Sequence, residues 1–325
     1  MARDIDLSFC GIGPEAGVEC GQCLRRSTVQ WTRLNLEGNT LGKDGANPIF
    51  WALRMNCTLT ELLLSDNGIG GDFGTDRDKR GDKGNSLSGM IEYNYTLRRV
   101  DLARNEISRE CAQSVARALV ENPCLVAFNF ERNHLDAAAA DHLATRLDGD
   151  RQVRYLNLRS NDVSWTGAVR LCVALENNWG LLSLDLGYNE VGSCGPVAGL
   201  ALASAIEKNV VLRRLDVEGN ELGPEAGAAL ARALTRNDTL QSLNARNNRF
   251  DKDVGKAFLE ALEVNRGVME VGFSIIEIGE DWFDGIDALM RKRASVAGLG
   301  DKDIPDGGDF VEEVEEEDSD DDDDD

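Results

Sequence analysis

The sequence predicts an α/β solenoid of about ten coils, each a short strand followed by a helix, with a concave parallel sheet and convex helices. Three observations lead there. The pattern L-x-L-x-x-N-x-L, or a worn version of it, recurs ten times. From mid-chain onward, five intervals between its frame positions are 28 residues long. Between the frames, apolar residues return at spacings of three and four, the mark of a helix with one buried face. A fixed period of this size means a unit that buries its apolar side only against its neighbours.

The clearest frames are Leu34-x-Leu36-x-x-Asn39-x-Leu41, Leu156-x-Leu158-x-x-Asn161-x-Val163 and Leu184-x-Leu186-x-x-Asn189-x-Val191. The frame asparagines are Asn39, Asn67, Asn105, Asn133, Asn161, Asn189, Asn220 and Asn248, with Cys10 in the slot at the start and Ile276 at the end. The leucines belong to a strand whose alternate side chains point inward. The asparagine amide serves backbone groups that would otherwise lose about 1–3 kcal/mol each. Ile276 has no hydrogen-bonding group, so the last unit, about residues 266–297, reads as a degenerate cap.

Helices follow, as in Gly167–Leu175 and Gly227–Leu234, where small residues at the start allow close approach to the next helix. Asn-x-x-Leu, as in Asn122–Leu125 and Asn237–Leu240, closes the helix and returns the chain to the next strand.

Units such as Leu215-Asp216-Val217-Glu218-Gly219-Asn220-Glu221-Leu222-Gly223-Pro224-Glu225-Ala226-Gly227 resemble leucine-rich repeats of the ribonuclease-inhibitor type, over roughly residues 3–290. The resemblance implies a leucine-rich-repeat solenoid, or horseshoe. Relatives include ribonuclease inhibitor, the Ran GTPase-activating protein, NOD-like receptor repeats and axonemal regulators. Those functions differ, so the fold alone does not choose among them.

Two stretches break the period. The interval from Asn67 to Asn105 is 38 residues, and residues 70–84, with five glycines and charges of both signs, form a loop insertion carrying Arg77, Lys79 and Arg80. A three-residue excess near Ser193–Pro196 reads as a longer loop. The repeat domain spans residues 1–297, and residues 298–325 read as a disordered acidic tail. Of the net charge of −23, residues 312–325 carry twelve acids, leaving about −11 for the rest. Ser319 fits an acidophilic kinase and Ser295 a basophilic one. The tail is expected to attract basic proteins or to fold back onto arginines of the concave face.

No apolar stretch approaches the ~20 residues of a membrane helix, and the chain opens directly on the first repeat, so neither membrane nor secretory signal is expected. A cytoplasmic protein with nuclear or cytoskeletal association fits eight reduced cysteines. Cys172 falls on an apolar helix face, while Cys57 and Cys124 precede strands, where small buried residues fit. Cys20-Gly-Gln-Cys23 has no second ligand pair, so neither metal nor other cofactor is expected. With two histidines, acid–base chemistry has little material. The acidic field repels nucleic acid.

Phasing places Asp6, Asn35, Leu63, Asp101, Asn129, Asn157, Asp185, Asp216, Asn244 and Gly272 at the centre of the concave strands. Around them lie Arg99, Arg104, Arg132, Arg154, Tyr155, Arg159, Asp185 and Tyr188, a basic, tyrosine-bearing patch of the kind favoured at binding hot spots. Ion pairs to Asp101, Glu131 and Asp185 are the competing use of those arginines. The expected function is a non-catalytic scaffold or regulator, a monomer or subunit of a larger complex, that binds a protein on its concave face and loop rim. The alternative is a Ran-type GTPase activator using Arg77 or Arg80. That family carries Thr-Gly-Arg in the early loop, where this chain reads Gly74-Thr75-Asp76-Arg77.

Overall fold

A computed structural model describes residues 3–26, 30–70 and 87–297. Ten three-residue strands form one parallel sheet in sequence order. They are β1 (Asp4–Asp6), β2 (Arg33–Asn35), β3 (Glu61–Leu63), β4 (Arg99–Asp101) and β5 (Ala127–Asn129). Then come β6 (Tyr155–Asn157), β7 (Ser183–Asp185), β8 (Arg214–Asp216), β9 (Ser242–Asn244) and β10 (Glu270–Gly272). The register keeps repeat positions level: Leu156 faces Leu184, and Asn157 faces Asp185.

One helix follows each of the first nine strands: α1 (Pro14–Leu24), α2 (Gly42–Leu53), α3 (Leu87–Tyr93), α4 (Arg109–Glu121) and α5 (Ala137–Leu147). The rest are α6 (Ser164–Glu176), α7 (Val197–Lys208), α8 (Pro224–Leu234) and α9 (Lys252–Val264). The last coil ends in α10 (Ile275–Ile278) and α11 (Glu280–Ala297). Asp136 and Asp251 cap α5 and α9 by accepting the N–H of Ala139 (2.9 Å) and Val254 (3.0 Å). At the start of α6, a Cβ on Gly167 would lie 2.8 Å from the Ala140 Cβ, so the small residue there is required by close approach.

The core is one continuous column of leucines, with Leu34, Leu62, Leu158, Leu186 and Leu243 fully buried. Two asparagine ladders wall it. In the first, Asn105 donates to the carbonyls of Leu64 (2.8 Å), Leu102 and Ala103 (3.0 Å each), and accepts the N–H groups of Asn67 and Ile69. In the second, Asn122 donates to Ile91 and Asn94 of the previous coil and accepts from Cys124 and Leu125 of its own. Each amide thus links two coils, which is why the frame residue is asparagine rather than any small polar residue.

The ladder ends depart from the frame reading. Cys10 keeps the role in part: its thiol reaches the Ser8 carbonyl at 3.4 Å, as Asn39 reaches Glu37. Ile276 does not occupy the slot; it lies 98% exposed on α10. An apolar side chain cannot receive the Asn248 N–H, and the neighbouring Glu277 carboxylate receives it instead. The second ladder closes on Arg293, 28 residues after Asn265, whose guanidinium donates to the carbonyls of Leu262, Asn265 and Val268. Residues 191–196 form turns before α7, in keeping with a longer loop. Cys172 is buried and Cys124 partly so, but Cys57 is exposed, because its position faces outward from the helix-to-strand turn.

Candidate functional site

In each coil the middle strand residue points into the core, and its neighbours face the concave wall. The residue two after the strand returns to that wall, and the next one adopts a left-handed backbone, as at Arg104 (φ 56°), Arg132 (φ 53°) and Tyr188 (φ 54°). Few non-glycine residues do so. Three of the expected contact residues therefore share one column along the edge of the wall.

The central Asp/Asn column is a hydrogen-bonded ladder. Asn129 donates to Asp101 (3.0 Å) and Asn244 to Asp216 (2.8 Å), so an acid in one coil is satisfied by an amide in the next. At Asp185 and Asp216 two acids adjoin, and Arg159 resolves the conflict. Its guanidinium lies 3.8 Å from Asp185, 3.4 Å from Asp216 and 2.6 Å from Glu218. Tyr188 stacks against it at 4.7 Å and donates its hydroxyl to Glu218 at 2.9 Å. Asn247 donates to the same carboxylate at 2.7 Å. Four consecutive coils, β6 to β9, thus converge on one cluster.

Burial pushes the Asp185 carboxyl up to about 7, and the adjoining Asp216 adds to this, against the Gly187 N–H and Arg159. Burial likewise raises Asp216. Burial also opposes ionisation of Glu218, but the hydrogen bonds from Arg159 and Tyr188 prevail and hold it below the ordinary value.

Three arginines of the expected patch lie against carboxylates. Arg99 pairs with Glu61 at 3.3 Å, and Arg104 and Arg132 share Glu131 at 3.7 and 3.4 Å. Asp101, expected as an ion-pair partner, accepts from the Ala103 N–H and Asn129. Tyr155 opens β6, half-buried on the concave side. Arg154 stands apart: it precedes the strand, on the rim, and donates to the Gly180 carbonyl at 2.9 Å. Sequence phasing names Arg159, Asp185 and Tyr188 for the patch and Asp216 for the central column, but not Glu218 and Asn247, although their frame positions carry the signal. Arg77, Lys79, Arg80 and Ser319 lie outside the described residues, as does the tail. Ser295 is exposed on α11.

The wall holds carboxylates, guanidinium groups and tyrosine in a fixed polar lattice. Among the described residues no group of three or more His, Cys, Asp or Glu is arranged to hold a metal ion. No described helix is long and apolar enough to cross a membrane.

An open parallel sheet stacked coil on coil, with asparagine ladders and a polar inner wall, defines a leucine-rich-repeat solenoid. The leucine-rich-repeat family model matches residues 56–72 and 208–231. The chain is 27% identical over 226 residues to human NACHT, LRR and PYD domains-containing protein 5, covering 68% of this chain and 18% of that protein. It is 26% identical over 242 residues to pig (Sus scrofa) ribonuclease inhibitor, covering 67% of this chain and 52% of that protein. The chain thus spans about half the length of the inhibitor and less than a fifth of the NACHT protein. Among solved structures, the yeast Rad7–Elc1 complex includes a chain of like fold: TM-score 0.57, 16% identity, 89% of this chain and 66% of that one covered. Repeat, fold and relatives together make this a leucine-rich-repeat protein of the ribonuclease-inhibitor type.

Proposed function

We propose that the protein is a non-catalytic scaffold or regulator that binds a protein partner on its concave wall, centred on the column Arg104–Arg132–Tyr188 beside Arg159. The observation carrying this reading is the four-coil cluster around Arg159. It holds Tyr188, 43% exposed, rigidly against a guanidinium, so an aromatic anchor is presented at little further cost in side-chain entropy. Ribonuclease inhibitor, a relative by sequence, is by its name a protein acting on an enzyme, which fits a binding wall rather than a catalytic centre. Nothing among the described residues favours the GTPase-activating alternative, whose arginines lie outside them.

The test is affinity capture with the wild-type chain and with Tyr188→Ala and Arg132→Ala baits, read by quantitative mass spectrometry. A concave partner should be depleted about tenfold or more by Tyr188→Ala, as for a hot-spot aromatic. Capture profiles that match across all three baits would refute the reading.

A further inference from the structure

Four arginines without carboxylate partners among the described residues stand along one rim. The turns from helix to strand stack in register along one edge. Val126 N–H donates to the Arg98 carbonyl (2.8 Å), Arg154 to Val126 (2.8 Å), Leu182 to Arg154 (2.8 Å) and Arg213 to Leu182 (2.9 Å). Arg98, Arg154 and Arg213 therefore occupy every second coil of one column. Arg151 projects from the same edge, and beside it stand Tyr95 (58% exposed), Trp179 (53%) and Val210 (58%).

Among the described residues, none of these four arginines forms an ion pair. Arg98 and Arg154 each donate one hydrogen bond to a backbone carbonyl, of Cys124 and Gly180. Residues 94–98, 122–126, 150–154, 178–182 and 209–213 contain a single acid, Asp150, which is 6% exposed and held by Arg146. Among the described residues, this stretch of the edge sets four arginines without ion pairs among aromatic side chains, and the exposed Asp238 follows one coil further on.

We propose that this rim is a docking surface for an acidic polypeptide and that its resident is the chain's own segment 312–325. Charge complementarity is one argument: the segment has twelve acids in fourteen residues. Reach is the second. Arg293, near the end of α11, bonds the carbonyls of Asn265 and Val268, so the chain leaves α11 on this same edge, beside the last coil. Residues 298–311 can extend ~46 Å. Arg213 is two coils away and Arg98 six, or ~10 and ~29 Å at the strand spacing. Spacing is the third. Arginines on alternate coils are ~10 Å apart, which three residues of extended chain match. Tethering supplies the segment at millimolar effective concentration, so weak individual pairs suffice. On the wall, Arg99, Arg104, Arg132 and Arg159 are already engaged by Glu61, Glu131 and Glu218.

The experiment uses isotope-labelled full-length protein and follows the amide signals of residues 312–325. At low ionic strength they should differ in position and width from those of the free synthetic peptide, and converge on them at about 0.5 M salt, where screening is strong. The variant Arg151→Gln/Arg213→Gln removes two side chains that hold no hydrogen bond in the fold; it should lower the docked fraction about fivefold. Arg104→Gln/Arg132→Gln, removing equal charge from the wall, should leave it unchanged. Signals identical to the free peptide at low salt would overturn the proposal, as would release by the concave pair alone. A rim that leaves the segment free but binds a short single-stranded oligonucleotide would overturn it in favour of nucleic acid.

Discussion

Arg159 and Glu218 are 59 residues apart, yet their side chains meet at 2.6 Å because Gly187 lies beneath the arginine. A Cβ at position 187 would fall 2.5 Å from the guanidinium nitrogen. The absent side chain lets Arg159 cross one whole coil and screen Asp185 and Asp216 from each other.

Gly187→Ala should therefore cost about 1–3 kcal/mol of stability, the usual cost of overpacking. In an Arg159→Ala background the same substitution should cost far less, since the atom it strikes is gone. Urea denaturation of the four proteins measures the coupling. Equal costs in both backgrounds would mean that Gly187 serves the backbone alone.

The acid pair makes stability depend on pH. Asp185 titrates near 7 in the fold, above its unfolded value near 4, so the folded state binds the extra proton between those limits. Stability then falls as pH rises from about 4 to about 7, and the penalty is fully present above that range. Asp185→Asn keeps an acceptor for the Gly187 N–H and leaves Arg159 with Asp216 and Glu218. It should raise the denaturation midpoint at pH 8 and change little at pH 4. A stability gain that is the same at both pH values would contradict this.

The ladders show how far the sequence alone carries. Asn161 and Asn189 share a frame, and the frame specifies the bonds they make, because every coil offers the same carbonyls at the same place. Column membership is legible for the same reason: phase alone places Asp185 and Tyr188 on the wall. Reach across coils is not. The period says which residues are level, but whether Arg159 reaches Glu218 depends on Gly187, one coil away from each. Phase puts Arg154 among the residues flanking the concave strands, with Arg159. It precedes the strand, where the chain still follows the rim, so it belongs with Arg98 and Arg213. Arg293 is 28 residues past Asn265 and thus in frame, but an arginine doing an asparagine's work is not a pattern the repeat advertises.

Asp150 tests the second ladder from inside. Asn122 and Asn178 flank it at the equivalent position, and Asn178 donates to the Leu147 carbonyl. Asp150 cannot donate; it accepts the Val153 N–H at 2.8 Å and pairs with Arg146, which is 13% exposed. Asp150→Asn restores the repeat's own residue but strands a buried guanidinium. It should destabilise the protein by about 2–4 kcal/mol, most of a broken buried pair less one regained hydrogen bond. Adding Arg146→Leu should recover most of the loss. Destabilisation of the same size with and without Arg146 would show that the ion pair is not the cause.

Arg293 offers the last test, because a solenoid's end has no next coil to satisfy it. Three carbonyls of the final turns, on Leu262, Asn265 and Val268, receive one guanidinium. Arg293→Ala should leave them without a protein donor and cost about 2–3 kcal/mol, as for two or three lost charged hydrogen bonds partly replaced by water. In a repeat protein each coil depends chiefly on its neighbours, so the damage should be local. Hydrogen exchange should accelerate in α11, α10 and β10 while amides of β2 to β7 keep their protection. Arg293→Lys, with one ammonium in place of a planar fork, should recover only part of the protection, since it cannot span all three carbonyls. Uniformly faster exchange along the whole sheet would show instead that the coils unfold as one unit and that Arg293 is no local cap.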